Sequence, residues 1–300
     1  EITFHSQGEQ IGSGSLPFTV AENPTATSRV FNVTVAGIPV RIIQAGRLAH
    51  PPLHLSGEGY PDLVWQNKSG TTISWTTPVL NVAPRPGFFI TPPQNWRIVA
   101  NNDFDSDGKT DFFVRHLDGR YGFWEMTSAP FFKLTVLNRA LSQDWRVVGI
   151  DNFDQTGGND IVWQHTHGRV AVWLMHGTNF LSAVTLNNGK ASSRWKAVAV
   201  GDFNDDQHPD VLFQSTDGYL AVWLMQGLSR TSTVVLNSDK PTPPYWKIVG
   251  AGDFNRDEYL DIVWQHQDGR VAVWLMEGLV RKSSYMLWDR STEWKVVGPK

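Results

Sequence analysis

The sequence contains no cysteine, so disulfide bonds cannot hold this fold together and give no evidence about its compartment. No apolar run approaches the roughly 18 residues that a membrane-spanning helix requires, so we expect no membrane span. Basic blocks are also missing, because 26 Lys and Arg stand against 29 Asp and Glu for a net charge of −3. Nucleic acid is therefore not an expected partner, since its recognition needs a basic surface.

What the chain does contain is typical of a globular protein, with 41% hydrophobic and 18% charged residues. Its 14 Trp and 26 Gly suit many short strands joined by tight turns. The first residue is Glu1 and no signal peptide precedes it, so we expect a chain that was processed or cut from something longer.

Residues 1–47 form a separate β segment by their pattern. Apolar and polar residues alternate over 31–35 and again over 38–42, which predicts a hairpin around Ala36-Gly37, and Phe18-Thr19-Val20 predicts an earlier strand. The stretch SLPFTVAENPTATSRVFNVTVAGIPVRIIQAG resembles the latter half of a BACON-type immunoglobulin-like domain. The front half is missing here, which leaves either a truncated domain or strands that dock on the remainder of the chain.

From about residue 48 onward, three residue series recur with one period. The aspartate that ends an acidic loop recurs at spacings of 49, 49, 50 and 51 residues. One Trp series opens a W-x-V-V-like strand and a second follows later in each unit. The series are Asp62, Asp111, Asp160, Asp210 and Asp261; Trp96, Trp145, Trp195, Trp246 and Trp294; and Trp75, Trp124, Trp173, Trp223 and Trp274. A shared period predicts a repeat architecture.

Each unit is predicted to contain four short strands. In the best-formed unit they are Trp246–Gly250, Asp261–His266, Val271–Met276 and a weaker Ser284–Leu287, with Asp268-Gly269 as a tight turn. Runs such as DIVW and VAVWLM are apolar without alternation, which indicates that both faces of the sheet are covered. The blade of a β-propeller provides that environment, whereas a two-layer sandwich would show alternation.

The ends of the repeat region predict how the ring closes. The first unit has no W-x-V-V strand before its loop, and the C-terminal WKVVGPK is such a strand with no unit after it. We therefore predict an all-β fold: residues 48–300 form a five-bladed propeller of four-stranded blades closed by the C-terminal strand, preceded by the β segment 1–47. A fragment of a larger ring is the alternative.

The repeat GDFNRDEYLDIVWQHQDGRVAVWLMEG resembles the VCBS or FG-GAP repeat, the unit of integrin-α-like propellers. The resemblance covers about 250 residues and recurs five times. It implies the propeller fold and calcium-binding loops, and it implies little about activity.

The acidic loops have the composition of calcium sites. DFDSDGKTD at 103–111 places carboxylates at relative positions 1, 3, 5 and 9 and Gly108 at position 6, where a sharp turn is needed. In the fourth and fifth loops Gln207 and Glu258 replace this glycine, so we expect those loops to be looser or bent differently. The predicted calcium ligands are Asp103, Asp105, Asp107 and Asp111; Asn152, Asp154, Thr156 and Asp160; Asp202, Asn204, Asp206 and Asp210; and Asp253, Asn255, Asp257 and Asp261.

The first loop, with His54, Ser56, Glu58 and Asp62, is expected to bind no metal. For all five loops the alternative is that the carboxylates only accept backbone N–H bonds and cap turns. If ions are bound, we expect them to be structural rather than catalytic, because they would brace the turn between two strands.

The hairpins of the third and fifth units are candidate ligand contacts. Aromatic faces stack on sugar rings, while Gln, His and Arg bond hydroxyl groups. The candidates are Gln164, His165, Arg169, Gln265, His266 and Arg270. The alternative is that Trp fills the blade interface and the polar residues line a solvated turn.

No catalytic motif is present, and nearly every repeated Asp is assigned to a metal loop, so we expect no enzyme activity. The sequence therefore favours a secreted or cell-surface, non-catalytic, calcium-stabilised binding or adhesion module. Its expected partner is a glycan or a cell-surface protein, with carbohydrate preferred. A protein–protein adhesion propeller of the integrin-α kind, a structural accessory domain and an enzyme are the alternatives, in that order.

Overall fold

A computed structural model describes residues 2–4, 18–20, 29–35, 38–44, 62–76, 85–104, 109–128, 131–156, 158–190, 192–237 and 240–299. By its internal contacts the chain divides into two units, Glu1–Ala49 and His50–Lys300.

The first unit contains two pairs of antiparallel strands. They are β1 (Ile2–Phe4) with β2 (Phe18–Val20), and β3 (Arg29–Val35) with β4 (Ile38–Gln44). Val35 lies opposite Ile38, which confirms the predicted hairpin, and β2 confirms the earlier strand. The Ala36-Gly37 turn lies outside the described residues, and the resemblance to a BACON-type domain stays a prediction.

The second unit consists of five sheets, each of four antiparallel strands, as predicted. From inner to outer strand, blade 1 is β24 (Lys295–Gly298), β5 (Leu63–Gln66), β6 (Thr72–Thr76) and β7 (Arg85–Ile90), and blade 2 is β8 (Trp96–Asn102), β9 (Asp111–His116), β10 (Arg120–Ser128) and β11 (Phe131–Ala140). Blade 3 is β12 (Trp145–Asp151), β13 (Asp160–His165), β14 (Val170–His176) and β15 (Asn179–Thr185), followed by a short 3₁₀ turn, Leu186–Gly189. Blade 4 is β16 (Trp195–Gly201), β17 (Asp210–Ser215), β18 (Leu220–Gln226) and β19 (Ser229–Val235), and blade 5 is β20 (Trp246–Gly252), β21 (Asp261–His266), β22 (Val271–Glu277) and β23 (Val280–Trp288).

The core of the second unit lies between blades, which explains the apolar runs without alternation. In β21, Ile262 and Trp264 pack in a cluster with residues of blade 4, whereas Val263 between them packs with residues of blade 1. All three side chains are buried. Because successive strand residues face opposite sides, both neighbours of a blade must be apolar.

The C-terminal strand closes the ring. β24 pairs antiparallel with β5, with Val296 opposite Trp65, and so supplies the inner strand that the first repeat lacks. The five inner strands contact one another in the cyclic order β8, β12, β16, β20, β24 and back to β8. This confirms five blades and excludes a fragment of a larger ring.

A glutamine at the second strand of a blade bonds the inner strand of the next blade. Nε2 of Gln265 donates to the carbonyl of Trp294 at 2.9 Å, and its Oε1 accepts from the N–H of Val296 at 3.2 Å. Gln164 and Gln214 make the same pair of bonds to the Trp carbonyl and to the N–H two residues later in the next blade. These amides are buried, so they satisfy backbone groups that no strand ladder reaches.

The fourth strand differs from the prediction. In blade 5 it spans Val280–Trp288, nine residues, rather than Ser284–Leu287. Its residues are exposed or half-buried because the outer strand of a blade has water on its free edge. An exposed strand needs no apolar run, so the sequence pattern understated its length.

The hairpin glycine of blade 4 fits against the chain that enters blade 5. Gly218 has φ +91°, and a Cβ built there would lie 2.1 Å from the carbonyl oxygen of Thr242. Gly119, the matching residue of blade 2, has φ +96° and nothing within 4 Å of such a Cβ. Both positions therefore disfavour L side chains, but only Gly218 is also in steric conflict.

Replacing Gly218 with Ala should therefore destabilise the protein more than replacing Gly119 with Ala. Both variants accept the left-handed conformation, at about 1–2 kcal/mol. Gly218→Ala must in addition displace the Thr242 segment from blade 4. Urea unfolding of the two variants measures the difference, and equal midpoints would show that this blade junction does not depend on the close approach.

Candidate functional site

The aspartate that ends each acidic loop ties the loop to the third strand of its own blade. In blade 4, Oδ2 of Asp210 accepts the N–H of Phe203 at 3.2 Å, and Oδ1 accepts the N–H of Met225 at 2.9 Å. The same two bonds recur at Asp111, Asp160 and Asp261. All four carboxylates are buried. The alternative role of the loop carboxylates was to accept backbone N–H bonds rather than to bind metal. The loop-ending aspartate makes such bonds in four blades.

The first aspartate of the fourth and fifth loops organises the turn itself. Oδ1 of Asp202 accepts the N–H of Asp206 at 3.1 Å, and its Oδ2 accepts the N–H of Gln207. Asp253 makes the equivalent bonds to the N–H groups of Asp257 and Glu258 at 3.2 and 3.0 Å. Each loop is therefore folded around its first carboxylate.

The glycine position of both loops adopts the left-handed conformation without a glycine. Gln207 has φ 69° and Glu258 has φ 73°, and two residues earlier Asp205 and Arg256 have φ 62° and 63°. The two loops therefore have similar backbone conformations at these positions. Gly108 of the second loop lies outside the described residues, so the expectation that its replacement loosens or bends the loop stays a prediction. This conformation costs a non-glycine residue about 1–2 kcal/mol, which the backbone N–H bonds to Asp202 and Asp253 offset in part.

The middle positions of these loops bring amide and carboxylate groups together. Nδ2 of Asn204 donates to Asp206 at 2.9 Å, and Nδ2 of Asn255 donates to Asp257 at 2.7 Å. Oδ1 of Asn204 is buried and has no hydrogen-bond partner among the described residues. A buried oxygen without a donor is costly, and a cation would satisfy it.

The remaining loops are described in part. In the third, Oδ1 of Asn152 is also buried without a hydrogen-bond partner among the described residues, and Asp154 accepts the N–H of Thr156 at 2.8 Å. Asp105, Asp107 and Gly108 of the second loop, and His54, Ser56 and Glu58 of the first, lie outside the described residues. Asp62 is buried.

The described loops fit calcium in some respects and not in others. Asp202, Asn204 and Asp206 offer oxygen atoms within one turn, with Asn204 Oδ1 unsatisfied. Asp210, by contrast, already accepts two backbone N–H bonds, and no group of three or more His, Cys, Asp or Glu in the described residues is arranged to hold a metal. The oxygen ligand chemistry suits calcium, and the metal assignment stays a prediction.

Burial dominates the acid–base behaviour of the loop-ending aspartates. It raises the pKa of Asp210 and of Asp261 to about 7, against the lowering effect of their backbone N–H bonds. The neighbouring loop carboxylates, Asp206 and Asp202 in one blade, add a smaller increase. Burial therefore keeps protons on Asp210 and Asp261 up to about neutral pH.

At the opposite end of the blades, the hairpin glutamines are engaged in structure. Gln164 and Gln265 are buried, and both ends of each amide bond the next blade, as described above. The prediction that they contact a ligand has no support from this arrangement. Their repetition has a structural cause that the sequence pattern did not reveal.

The hairpin histidines and arginines pack on the tryptophan that opens each blade. The ring of His266 lies 5.0 Å from that of Trp246, and Asp268 accepts bonds from Arg270 at 3.0 and 3.2 Å. Although burial opposes it, bonding to Arg270 and His266 lowers the pKa of Asp268 to about 2. Arg270 is thus paired, as is Arg120 with Asp118 in blade 2.

Blade 3 has the same hairpin without the acid. His167 stands where blade 5 has Asp268, and His165 packs on Trp145 at 5.0 Å. The exposed Arg169 lies 5.9 Å over the Trp145 ring, and no ion pair to it occurs within the described residues. Of the six predicted ligand contacts, Arg169 is the one whose polar group is most available.

A cleft of about 390 Å³ lies along the face of blade 5 that packs against blade 4. Its walls are mainly apolar and include four aromatic residues, and polar groups come from the outer strand and the segment before blade 5. The lining residues are Thr242, Pro243, Trp246, Trp264, Ala272, Trp274, Arg281, Ser284, Tyr285 and Met286. An apolar pocket with few polar groups is the usual form of a small-molecule site.

Two of the cleft tryptophans belong to the repeated series, but its polar residues were not predicted. Arg281 and Ser284 lie on the outer strand, where the sequence shows no motif. A signal was nevertheless present, since an Arg and a hydroxyl residue three positions later recur as Arg230 and Thr233 in blade 4.

Comparison with known proteins agrees with the repeat assignment. Residues 152–213 and 202–264 match the family of the FG-GAP-like repeat. None of the curated proteins compared with this chain matches it. Among solved structures, AofleA from Arthrobotrys oligospora is similar with a TM-score of 0.45 and 10% identity, over 90% of this chain and 85% of that chain. Likeness at that level carries no argument about function. The described part of the chain has no apolar helix of the length that a bilayer requires.

The raised pKa values predict how stability depends on pH once metal is removed by a chelator. The native state holds protons on Asp210 and Asp261 up to about pH 7, whereas the unfolded chain loses them near about pH 3.9. Unfolding therefore releases protons between these values, and the melting temperature should fall as pH rises from about 4 to about 7.

The variant with both Asp210→Asn and Asp261→Asn should show a flatter profile over the same range, because neither site can ionise. Asp205→Asn, which alters an exposed carboxylate of the same loop, is the control and should keep the slope. If the double variant retains the full dependence of melting temperature on pH, groups other than Asp210 and Asp261 cause that dependence.

Proposed function

On the premise that residues 152–264 carry FG-GAP-like repeats in a five-bladed propeller, we propose that the chain is a non-catalytic carbohydrate-binding module, stabilised by calcium and secreted or displayed at a cell surface. The fold is one that serves binding and adhesion. The finer proposal of a saccharide ligand is supported by one observation, the aromatic cleft of blade 5.

The chemistry of the cleft suits a sugar ring. Three tryptophans line it, of which Trp264 is buried and Trp274 is covered by Arg281. The half-buried Trp246 offers the indole surface on which the apolar face of a pyranose can stack. Ser284 and Tyr285 offer hydroxyl groups, and the side chain of Arg281 offers N–H donors at the same wall. The volume of about 390 Å³ is at the lower end of the range for ligand pockets, which suits one or two sugar residues.

The exposed Arg169 of blade 3 is a second candidate contact for the same ligand class. It lies over an indole ring as Arg281 does, but on an exposed hairpin. Under this proposal the cleft supplies most of the affinity, and Arg169 contributes where a longer glycan reaches the hairpin end.

Calcium would be held by the second, fourth and fifth loops. In the described loops the candidate oxygen atoms belong to Asp202, Asn204 and Asp206, and to Asp253, Asn255 and Asp257. Bound calcium supplies positive charge where burial and like charge now disfavour ionised carboxylates. Its role here is to stabilise the turns, not to take part in a reaction.

Blocking the cleft should abolish saccharide binding without unfolding the ring. Ser284→Tyr places a bulky side chain on an exposed position of the outer strand, opposite Trp274 in the strand pair. Thr233→Tyr is the matched control, because Thr233 lies opposite Trp223 in blade 4. On a glycan array, Ser284→Tyr should lose the glycans that the wild type binds, and Thr233→Tyr should still bind them. Arg169→Ala should weaken the binding of longer glycans only. A wild-type protein that retains no glycan, or a Ser284→Tyr variant that binds normally, would contradict the proposal.

Calcium should raise the melting temperature, because a ligand that binds only the native state stabilises it by RT ln(1 + [L]/Kd). Excess EGTA should lower the melting temperature and added calcium should restore it. Asp206→Asn should remove part of this response, and Asp205→Asn, its neighbour with left-handed φ, should leave it intact. If EGTA leaves the melting curve unchanged, the loops are metal-free turns.

A further inference from the structure

The cleft of blade 5 contains one charged group. Of the residues that line it, Arg281 alone is ionisable at neutral pH, and no carboxylate lies among them. The nearest charged residue along the outer strand, Lys282, is paired with Glu277. The cleft is therefore a positively charged pocket with no counter-ion of its own in the described residues.

The guanidinium of Arg281 is held in place on the cleft wall. Its Cζ lies 4.1 Å from the centre of the Trp274 ring, and Nη2 donates to Oγ of Ser284 at 3.0 Å. The ring contact and the bond to Ser284 hold the guanidinium in place and leave its other N–H donors without a described acceptor. Partial burial lowers the pKa of Arg281, although the residue as a whole remains exposed.

Related blades show that the position is variable. Phe180 packs against Trp173 at the matching position of blade 3, at 5.2 Å between ring centres. Arg230 lies 5.1 Å over Trp223 in blade 4 and bonds Thr233 at 3.4 Å. Covering the indole therefore does not require a cation, because an aromatic ring covers it in blade 3.

We infer that the cleft of blade 5 selects saccharides that carry an anionic group, a carboxylate or a sulfate, and that Arg281 recognises this group. The planar guanidinium presents paired N–H donors at the spacing of two oxygens on such a group. The half-buried Trp246 offers an indole surface to the sugar ring on the same cleft. This inference rests on the proposed function, since it names the class of saccharide that the same cleft binds.

The test compares pairs of probes by calorimetric titration of the full chain. One pair is a disaccharide ending in glucuronic acid and its counterpart ending in glucose, and the other is a glucose-ended disaccharide with and without a 6-sulfate. Each charged probe that fits should bind at least about tenfold more tightly than its neutral counterpart. Its affinity should also fall as salt rises, while that of the neutral probe stays constant.

Variants identify the residue responsible. Arg281→Gln should remove the preference for the charged probe, and Arg281→Lys should retain it in weaker form because it keeps the charge without the fork. Lys282→Gln is the control, since it removes a positive charge one residue away that already has a partner. The melting temperatures of all three variants show whether a loss of binding is due to unfolding. If Arg281→Gln does not fold, the salt dependence of charged-probe binding to the wild type tests the inference instead.

The outcomes separate the two proposals. If neutral and charged probes bind equally, or if Arg281→Gln keeps the preference, this inference is wrong and the carbohydrate-binding function stands. If no probe of either kind binds, the proposed function fails and the inference fails with it. A preference for carboxylate over sulfate, or the reverse, identifies the anionic group.

Discussion

Three of the five junctions between blades depend on one interaction, the pair of hydrogen bonds between a buried glutamine amide and the backbone of the next blade. Blades of a propeller meet face to face, so no strand ladder can join them, and apolar packing alone does not fix their register. Gln164, Gln214 and Gln265 supply the missing rung by bonding one carbonyl and one N–H of the neighbouring inner strand. The last of them holds the C-terminal strand, and with it the closure of the ring.

This arrangement separates two ends of each blade with different chemistry. One end carries the acidic loops, where buried aspartates such as Asp210 bind the loop to the third strand. The other end carries the hairpins, where His, Arg and Trp pack together and an Asp pairs the Arg in blades 2 and 5. The cleft of blade 5 lies on the face of the blade that packs against blade 4, and its lining includes residues of the outer strand.

The sequence predicts those parts of the fold whose residues recur at a fixed period along the chain. The five aspartates, the two Trp series and the orphan strand at the C-terminus were sufficient for blade number and ring closure. The outer strand was underestimated because its residues are exposed, and exposure removes the apolar pattern from which strands are predicted. Local spacing also predicted the loops, including the left-handed sixth position.

The candidate site was harder to predict, because its residues act across blades. Gln164 and Gln265 stand beside His and Arg in the repeated hairpin motif. The spacing of these residues cannot show that the glutamine amides bond the backbone of the next blade. The cleft combines a segment before blade 5 with all four of its strands, and Arg281 stands in a stretch without a motif. Its importance follows from what surrounds it, an indole on one side and no carboxylate, which only the folded chain brings together.

The contribution of the glutamine hydrogen bonds to ring closure is tested most directly at Gln265. Gln265→Met keeps the length of the side chain but removes the bonds to Trp294 and Val296, leaving two buried backbone groups unsatisfied at about 1–3 kcal/mol each. Gln267→Met, two residues away on the exposed hairpin, is the matched control. The free energy of unfolding, measured in urea, should fall by about 2 kcal/mol or more for the first variant and by less than about 0.5 kcal/mol for the second. Equal stability of the two variants would show that the blades are held by apolar packing alone and would contradict the account.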